Sequence, residues 1–416
     1  MPTPYIPAVW RRVCAYADVS DFAALCRVTP PLYDICQTLL YNSIALDLSK
    51  KDTSPLSLLC RTLKKRSDLA LCVEHLHLRL SDSNSKQAVD ALAHENHTQL
   101  SIISSILKVC PNVQSFGIVH PYPLSDLTIQ DFQESLFRLC RLRELEFIVQ
   151  DTEWPPHIPG EADVNISVLA KAFGVSSLAS VALTLQEGPD SLLPTIDLPT
   201  RTNITGLNLS ECYLSMHSLD KILRALPRLT HLSLGFLWYA DPVNSRVGQH
   251  LDCEILGKAL MNCSSTLKSL GIAIQFESRA SVDVGTGSGK GSNWGLLHTL
   301  GSLRSYRNLT SLELAPEVIL GWGEEDEIQL LDVLPDSLRH LCFRLDFGTW
   351  SLSPWDFAPL AESLLCYMAN RDTPALESLA MAYYEELEGE DLASLDLIKS
   401  QCRKSQTRLH LNIVPS

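Results

Sequence analysis

Two short segments of this sequence contain residue types that proteins use for catalysis or ligand binding. Gly285–Ser292 is rich in glycine around Lys290, as are the loops that wrap nucleotide phosphates. Such a loop also needs a glycine five residues before Gly289, where Val284 stands, and a serine or threonine after the lysine, where Gly291 stands. We therefore predict a flexible insertion between structural elements at this position, and no nucleotide site.

The second segment, His94–His97, brings two histidines and a glutamate together, as zinc-protease helices do. Its histidines are three residues apart, whereas a shared helix face for zinc needs four. They also precede the predicted helix Thr98–Val109, so we predict a polar loop. The chain has no Gly-x-Ser-x-Gly nucleophile motif. We expect a protein that is not an enzyme and that holds no metal and no cofactor.

Charge and composition narrow the classes of partner. The chain has 34 basic and 48 acidic residues, a net charge of −14, which disfavours binding to nucleic acid. Its hydrophobic content of 45% is that of a folded globular protein. No apolar run reaches the roughly 18 residues of a membrane span, and the N-terminus lacks the layout of a secretory signal. We expect no membrane partner.

The cysteines indicate a reducing compartment. The chain has 13 of them, dispersed singly and without a Cys-x-x-Cys pair. Several fall at apolar positions of predicted helices and strands, where a thiol packs as a small hydrophobic group. We predict reduced, buried thiols and a cytoplasmic or nuclear location.

A hydrophobic phrase, apolar-x-x-apolar-x-apolar, recurs along the chain. Each copy indicates a strand, and these strands would position the other residues. The second apolar residue of each copy is found at Leu76, Phe116, Leu145, Val181, Leu207, Leu232, Leu270, Leu312, Leu341 and Leu379. Helices are predicted between the phrases, for example at Trp294–Tyr306. One strand-helix unit cannot bury its own apolar face, so the units must stack. Crossover helices make successive strands parallel, and we predict a solenoid.

The first 42 residues do not share the repeat. Their apolar residues recur at helical spacing around Val13 and again from Phe22 to Val28. Thr29 followed by Pro30 is typical of the start of a third helix, with threonine as the N-cap. We predict a small three-helix domain over residues 1–42 and a repeat domain over residues 43–416.

Both parts resemble known families. The repeats are similar to leucine-rich repeats of the ribonuclease-inhibitor-like type, which implies an α/β horseshoe with parallel strands on its concave face and helices outside. Ile6–Tyr41 resembles a degenerate F-box, from which it departs at Ala8, Ala17 and Thr29-Pro30-Pro31. An F-box directly before leucine-rich repeats is the layout of fungal F-box proteins. The residues that match the F-box pattern are Pro7, Val13, Tyr16, Asp18, Asp21, Phe22, Leu25 and Val28.

The resemblance implies a substrate-recognition subunit of a Skp1–cullin–F-box ubiquitin ligase. The N-terminal helices would bind a Skp1-like adaptor protein, and the repeats would bind a target protein, which the sequence does not identify. A second interpretation stays open, a leucine-rich-repeat interaction scaffold with a degenerate F-box and no ligase role. The expected adaptor-binding residues are Pro7, Trp10, Val13, Phe22, Leu25 and Val28.

Two sets of residues are candidates for binding the target. Aromatic residues follow several strand phrases, and in a horseshoe such loops lie along one rim, where aromatics favour protein interfaces. Packing beneath long loops is the alternative for half or more of them. The second set alternates with the buried residues of a strand and therefore points outward. The aromatic candidates are Trp238, Tyr239, Trp322 and Tyr384, and the outward ones are His340 and Arg344.

Overall fold

The computed structural model separates into two compact units, Met1–Leu183 and Thr184–Ser416. The structure describes residues 19–48, 54–80, 89–120, 126–149, 163–186, 198–199, 202–239, 251–277, 296–321, 328–345, 357–370, 376–383 and 389–413. Among these residues, no helix is both long and apolar enough to cross a membrane.

The described part of the first unit starts at Val19 with two helices and continues with alternating strands and helices. The helices are α1 (Val19–Leu25), α2 (Pro30–Asn42), α3 (Ser54–Lys65), α4 (Ser67–Ala70), α5 (Val89–Val109), α6 (Asp126–Phe137) and α7 (Asp163–Phe173). The strands are β1 (Ser43–Asp47), β2 (His75–Arg79), β3 (Ser115–His120), β4 (Glu144–Val149) and β5 (Ser180–Gln186), whose last residues count with the second unit. Each strand pairs in parallel with the next one along the chain.

The second unit repeats the arrangement. Its main strands are β6 (Gly206–Tyr213), β7 (His231–Tyr239), β9 (Ser269–Glu277), β11 (Ser311–Leu314), β12 (His340–Arg344), β13 (Ser378–Tyr383) and β14 (Arg408–Ile413). They too pair in parallel and in chain order. Two short strands, β8 (Leu251–Asp252) and β10 (Leu296–Leu297), form a separate parallel pair. The helices are α8 (Met216–Arg224), α9 (Cys253–Leu260), α10 (Pro316–Leu320), α11 (Leu330–Val333), α12 (Phe357–Asn370) and α13 (Gly389–Ser405).

The repeated hydrophobic phrase sets the register of the main strands in each unit. Its second apolar residues stand opposite one another, as in the row Leu232, Leu270, Leu312, Leu341 and Leu379, in which no residue is more than 2% exposed. Burying one such leucine contributes about 1.5–3 kcal/mol. This confirms the predicted α/β class with open parallel sheets in chain order, while the horseshoe curvature and the three-helix bundle stay predictions.

A second repeat runs along the residues just before the strands, which we call the amino edge. At eight positions among the described residues, the backbone carbonyl there accepts hydrogen bonds from two backbone N–H groups of the next repeat. Gln114 and Ser115 donate to the oxygen of Glu74 at 2.7 and 3.0 Å, and Thr310 and Ser311 donate to that of Lys268 at 2.9 and 3.0 Å. Two donors per carbonyl fix the step from one repeat to the next. The same pattern recurs at Gln114, Arg143, Thr205, Thr230, Thr310 and Arg339.

Two local predictions are wrong. The helix predicted from Thr98 begins at Val89 instead, so the backbone of His94–His97 is helical and does not form a loop. The helix predicted over Trp294–Tyr306 is not present in its described part, residues 296–306. His298 and Gly301 there have φ of 57° and 79°, in the left-handed region that a right-handed helix excludes. Gly285–Ser292 lies outside the described residues.

Candidate interaction surface

The strand residues that alternate with the buried ones form what we call the outward strand face. In the second unit most of them are exposed or half-buried, and they are small or polar. Since the leucine row fills the other side of these strands, this face is open to a partner. Its members in the second unit include Asn208, His231, Ser233, Ser311, Glu313, His340, Cys342, Arg344, Ser378, Ala380, Arg408 and His410.

His340 and Arg344 lie on this face, both on β12. The Nδ1 atom of His340 is 2.8 Å from the hydroxyl oxygen of Ser378 on β13. Arg344, whose side chain is 29% exposed, places Nη1 at 3.5 Å from a carboxylate oxygen of Glu313 on β11. Neighbouring strands therefore orient both side chains. Whether these residues bind a target stays a prediction.

In the first unit, three strands bring a histidine, a glycine and a glutamate into one row. His77, Gly117 and Glu146 occupy the same register on β2, β3 and β4. The Nδ1 atom of His77 is 3.7 Å from Oε2 of Glu146, across the backbone of Gly117. A Cβ atom at Gly117 would clash with the imidazole of His77 and would lie only 2.9 Å from that carboxylate oxygen. Glycine is therefore the residue that permits the approach.

His77 also approaches Ser115, which lies two residues before Gly117 on β3 and has its hydroxyl oxygen 3.3 Å from Nε2 of His77. Serine, histidine and acid in this order are the components of hydrolytic triads. Ser115 is only 3% exposed, however, and its backbone N–H already donates to the carbonyl of Glu74. A catalytic serine must be accessible to its substrate. It also needs nearby hydrogen-bond donors that are free to stabilise the oxyanion of the transition state. The geometry therefore suits a hydrogen-bonding surface better than a nucleophile.

The aromatic candidates are placed differently from the prediction where they can be located. Trp238 and Tyr239 belong to β7, and their backbones pair with Phe276 and Glu277 of β9. They were expected in the loop after the strand, but β7 and β9 extend for nine residues each and keep one register throughout. Trp322 and Tyr384 lie outside the described residues. The aromatic rim stays a prediction.

Near the amino terminus of the chain, α1 and α2 share a small core. Ile35 and Cys36 are buried, and Phe22 and Leu25 pack against them while half-buried. Val28, in the turn between the helices, is 63% exposed. Of the predicted adaptor-binding residues, then, two face inward and one faces solvent. Pro7, Trp10 and Val13 lie outside the described residues.

Hydrogen bonds attach α2 to the repeats without a linker. The hydroxyl of Thr29 caps the helix by accepting from the backbone N–H of Leu32 at 3.4 Å, as predicted. At the other end, the Asn42 side chain donates to the carbonyl of Cys72, and the Asn42 carbonyl accepts from the N–H of Glu74 at 2.9 Å. The strand β1 begins at the next residue. Whether residues 1–42 form a domain of their own stays a prediction.

One cluster of possible metal ligands was missed because its members are distant in sequence. Ligand atoms of Asp252, Glu254 and His298 lie within 4.8 Å of one another. Asp252 caps α9, since its Oδ1 accepts from the backbone N–H groups of Glu254 and Ile255 and lies 3.2 Å from Nδ1 of His298. Burial raises the pKa of Asp252, but these hydrogen bonds outweigh it and the pKa is lowered. Because Lys258 also holds Glu254 at 2.6 Å, the cluster is explained as a helix cap.

The described cysteines carry no disulfide, and several thiols are buried. Burial raises the pKa of Cys110 and of Cys253 to about 12, and that of Cys263 to about 11. These thiols stay protonated at neutral pH and act as small apolar groups, as the sequence predicts.

Comparison with known proteins gives little similarity. No protein-family model matches this chain, and no curated protein matches it. Among solved structures, it is similar to one described as the crystal structure of the Rad7 and Elc1 complex in yeast. That similarity covers 91% of this chain and 93% of that chain, with 13% sequence identity and a TM-score of 0.27. Values this low carry no inference, so function must be inferred from this chain's own residues.

Proposed function

We propose that this protein is the substrate-recognition subunit of a Skp1–cullin–F-box type ubiquitin ligase, acting in the cytoplasm or nucleus. Its N-terminal helices bind a Skp1-like adaptor, and its repeats bind a target protein. The role is one of holding the target close to the enzyme that modifies it, so the gain in rate comes from proximity.

One observation carries the proposal: the helical segment 19–42, which contains α1 and α2, exposes apolar side chains beside its small core and is joined directly to the repeats. Among the described residues, the buried members of the core shared by α1 and α2 are Ile35 and Cys36, and the exposed fractions of Val28 and Tyr33 are 63% and 40%. Exposed apolar side chains beside such a core favour a partner that covers them. The F-box resemblance of this segment implies that the partner is a Skp1-like adaptor.

The repeats support the second part of the proposal, which is that they bind a target protein. Its outward strand face carries mixed polar groups held by neighbouring strands, such as His340 by Ser378 and Arg344 by Glu313. Oriented polar side chains on a rigid scaffold lose little conformational freedom on binding, which suits recognition of a protein surface. The burial of Ser115, which is 3% exposed, supports a binding role over a hydrolytic one.

Adaptor capture tests the proposal with a matched pair of variants. Val28→Asp places a charge on an exposed apolar residue of the helical segment, and Leu397→Asp does the same on α13, where Leu397 is 58% exposed. We expect Val28→Asp to lower capture of the full chain by an immobilised Skp1-like adaptor roughly tenfold or more, since a buried unpaired charge costs several kcal/mol. Leu397→Asp leaves capture unchanged.

Thermal unfolding of both variants provides the control for folding. Because both sites are exposed, both variants should melt within a few degrees of the wild-type chain. Equal capture of wild type and Val28→Asp would overturn the adaptor-binding claim. Failure of the wild-type chain to be captured would favour the interaction scaffold with a degenerate F-box.

A further inference from the structure

A cavity of about 430 Å³ opens at the amino edge of the second unit, away from the outward strand face. It lies beside the residues that precede β9, β11 and β12, namely Lys268, Thr310 and Arg339. Its volume is in the range of pockets that hold small ligands or single side chains. The remaining lining residues are Arg307, Asn308, Asp336, Ser337 and Leu338.

The polar groups of the lining that carry no charge are engaged within the protein. The amide of Asn308 donates to the carbonyl of Ser265, and the hydroxyl of Thr310 donates to that of Lys268 at 3.2 Å. The hydroxyl of Ser337 donates to the carbonyls of Tyr306 and Leu309. These groups already form hydrogen bonds within the protein. The charged side chains of the lining are therefore the groups that can recognise a ligand.

The charges at the cavity are predominantly positive. Arg339 pairs with Glu377 at 2.9 Å, and Arg304 lies 3.8 Å from Asp336. Among the described residues, neither Lys268 nor Arg307 forms an ion pair with a carboxylate. Four cations against two carboxylates leave an excess of two positive charges, in a chain whose net charge is −14.

We propose that this cavity binds the oxyanion of an acidic or phosphorylated side chain in a protein segment, held by Lys268 and Arg307. Guanidinium and ammonium groups recognise carboxylate and phosphate through short charge-assisted hydrogen bonds. An excess of two charges matches one such group, whereas the acidic remainder of the chain repels a polyanion such as nucleic acid. The proposal rests on the proposed function, because the segment would belong to the target protein, and it adds a second contact outside the outward strand face.

Binding of degenerate peptide pools to the full chain tests this inference. Three pools share random flanks and differ at a fixed central residue, which is phosphoserine, glutamate or serine. We expect the phosphoserine pool, the glutamate pool or both to bind roughly tenfold more tightly than the serine pool, from one or two charge-assisted hydrogen bonds. The pool that binds more tightly identifies the source of the oxyanion. Equal binding of all three pools would overturn the proposal.

Charge-matched double variants locate the site. Lys268→Gln with Arg307→Gln removes the two unpaired cations, and Arg403→Gln with Lys404→Gln removes two exposed cations of α13. We expect the first pair to abolish the preference for the anionic pool and the second to keep it. Retained preference in the first pair, or displacement of peptide by inorganic phosphate at the same concentration as by peptide, contradicts the inference. Adaptor capture by both variants is unaffected, so failure here is separable from failure of the proposed function.

Discussion

The helical segment and the repeats bury their apolar residues very differently. In the second unit, one row of leucines continues through five strands with at most 2% exposure at any position. In the helical segment, Phe22 and Leu25 are half-buried around two buried residues, and Val28 is largely in solvent. A stacked repeat completes its core with its neighbour, whereas short helices that bury few apolar residues gain little stability by themselves. The repeats should therefore be stable by themselves, and the helical segment should be stabilised by a partner.

The largest expected effect on stability comes from truncating one buried side chain to alanine in each region. Leu312→Ala in β11, where the leucine is 1% exposed, should lower the free energy of unfolding by about 2–5 kcal/mol. Ile35→Ala, at a residue 8% exposed among half-buried neighbours, should cost about 2 kcal/mol, at the low end of that range, because its surroundings can collapse. Denaturant unfolding monitored by circular dichroism measures both. A larger loss from Ile35→Ala would reverse the comparison.

A smaller effect tests how closely the backbones of the second unit approach. A Cβ atom at Gly257 in α9 would lie well inside van der Waals contact of the carbonyl oxygen of Leu300. Alanine in place of glycine ordinarily stabilises a helix by up to about 1 kcal/mol, but this clash involves backbone and should reverse the sign. We expect Gly257→Ala to destabilise the protein by about 1–3 kcal/mol. A raised melting temperature would show that the two segments are not in contact.

The smallest effect compares one helix cap in each region. Thr29→Ala in the helical segment and Asp252→Ala in the second unit each remove a side chain that accepts from helix N–H groups, at a cost of about 1 kcal/mol. Their pH dependence differs. The pKa of Asp252 is lowered by folding, so its contribution is present above the unfolded value near 4 and is lost as pH falls through the lower folded value.

Stability curves against pH distinguish the two caps. The cost of Thr29→Ala should not change between neutral and acid pH, since a hydroxyl does not titrate there. The cost of Asp252→Ala should shrink as the carboxylate is protonated. An Asp252→Ala cost that stays constant down to the lowest pH measured is incompatible with an ionised cap.

The sequence was sufficient to predict the strands. It was not sufficient to predict the connections between repeats or the cavity that neighbouring repeats form. Every predicted anchor, from Leu76 to Leu379, lies on a strand, because leucine spacing alone determines which residues a parallel strand must bury. The helix predicted at Trp294–Tyr306 failed since apolar spacing does not reveal a left-handed backbone at His298. The basic cavity was missed because Lys268, Arg307 and Arg339 meet only once the strand register is known.

Hydrogen exchange of the full chain, with and without a Skp1-like adaptor, tests the central claim most directly. In the chain alone, amides of α1 and α2 should exchange through local opening, well before those of β7, β9 and β11 in the buried leucine row. Addition of the adaptor should slow exchange in α1 and α2 and leave the strands unchanged. Helices already as protected as the strands, or an adaptor that slows exchange in the strands and not in the helices, would contradict the account.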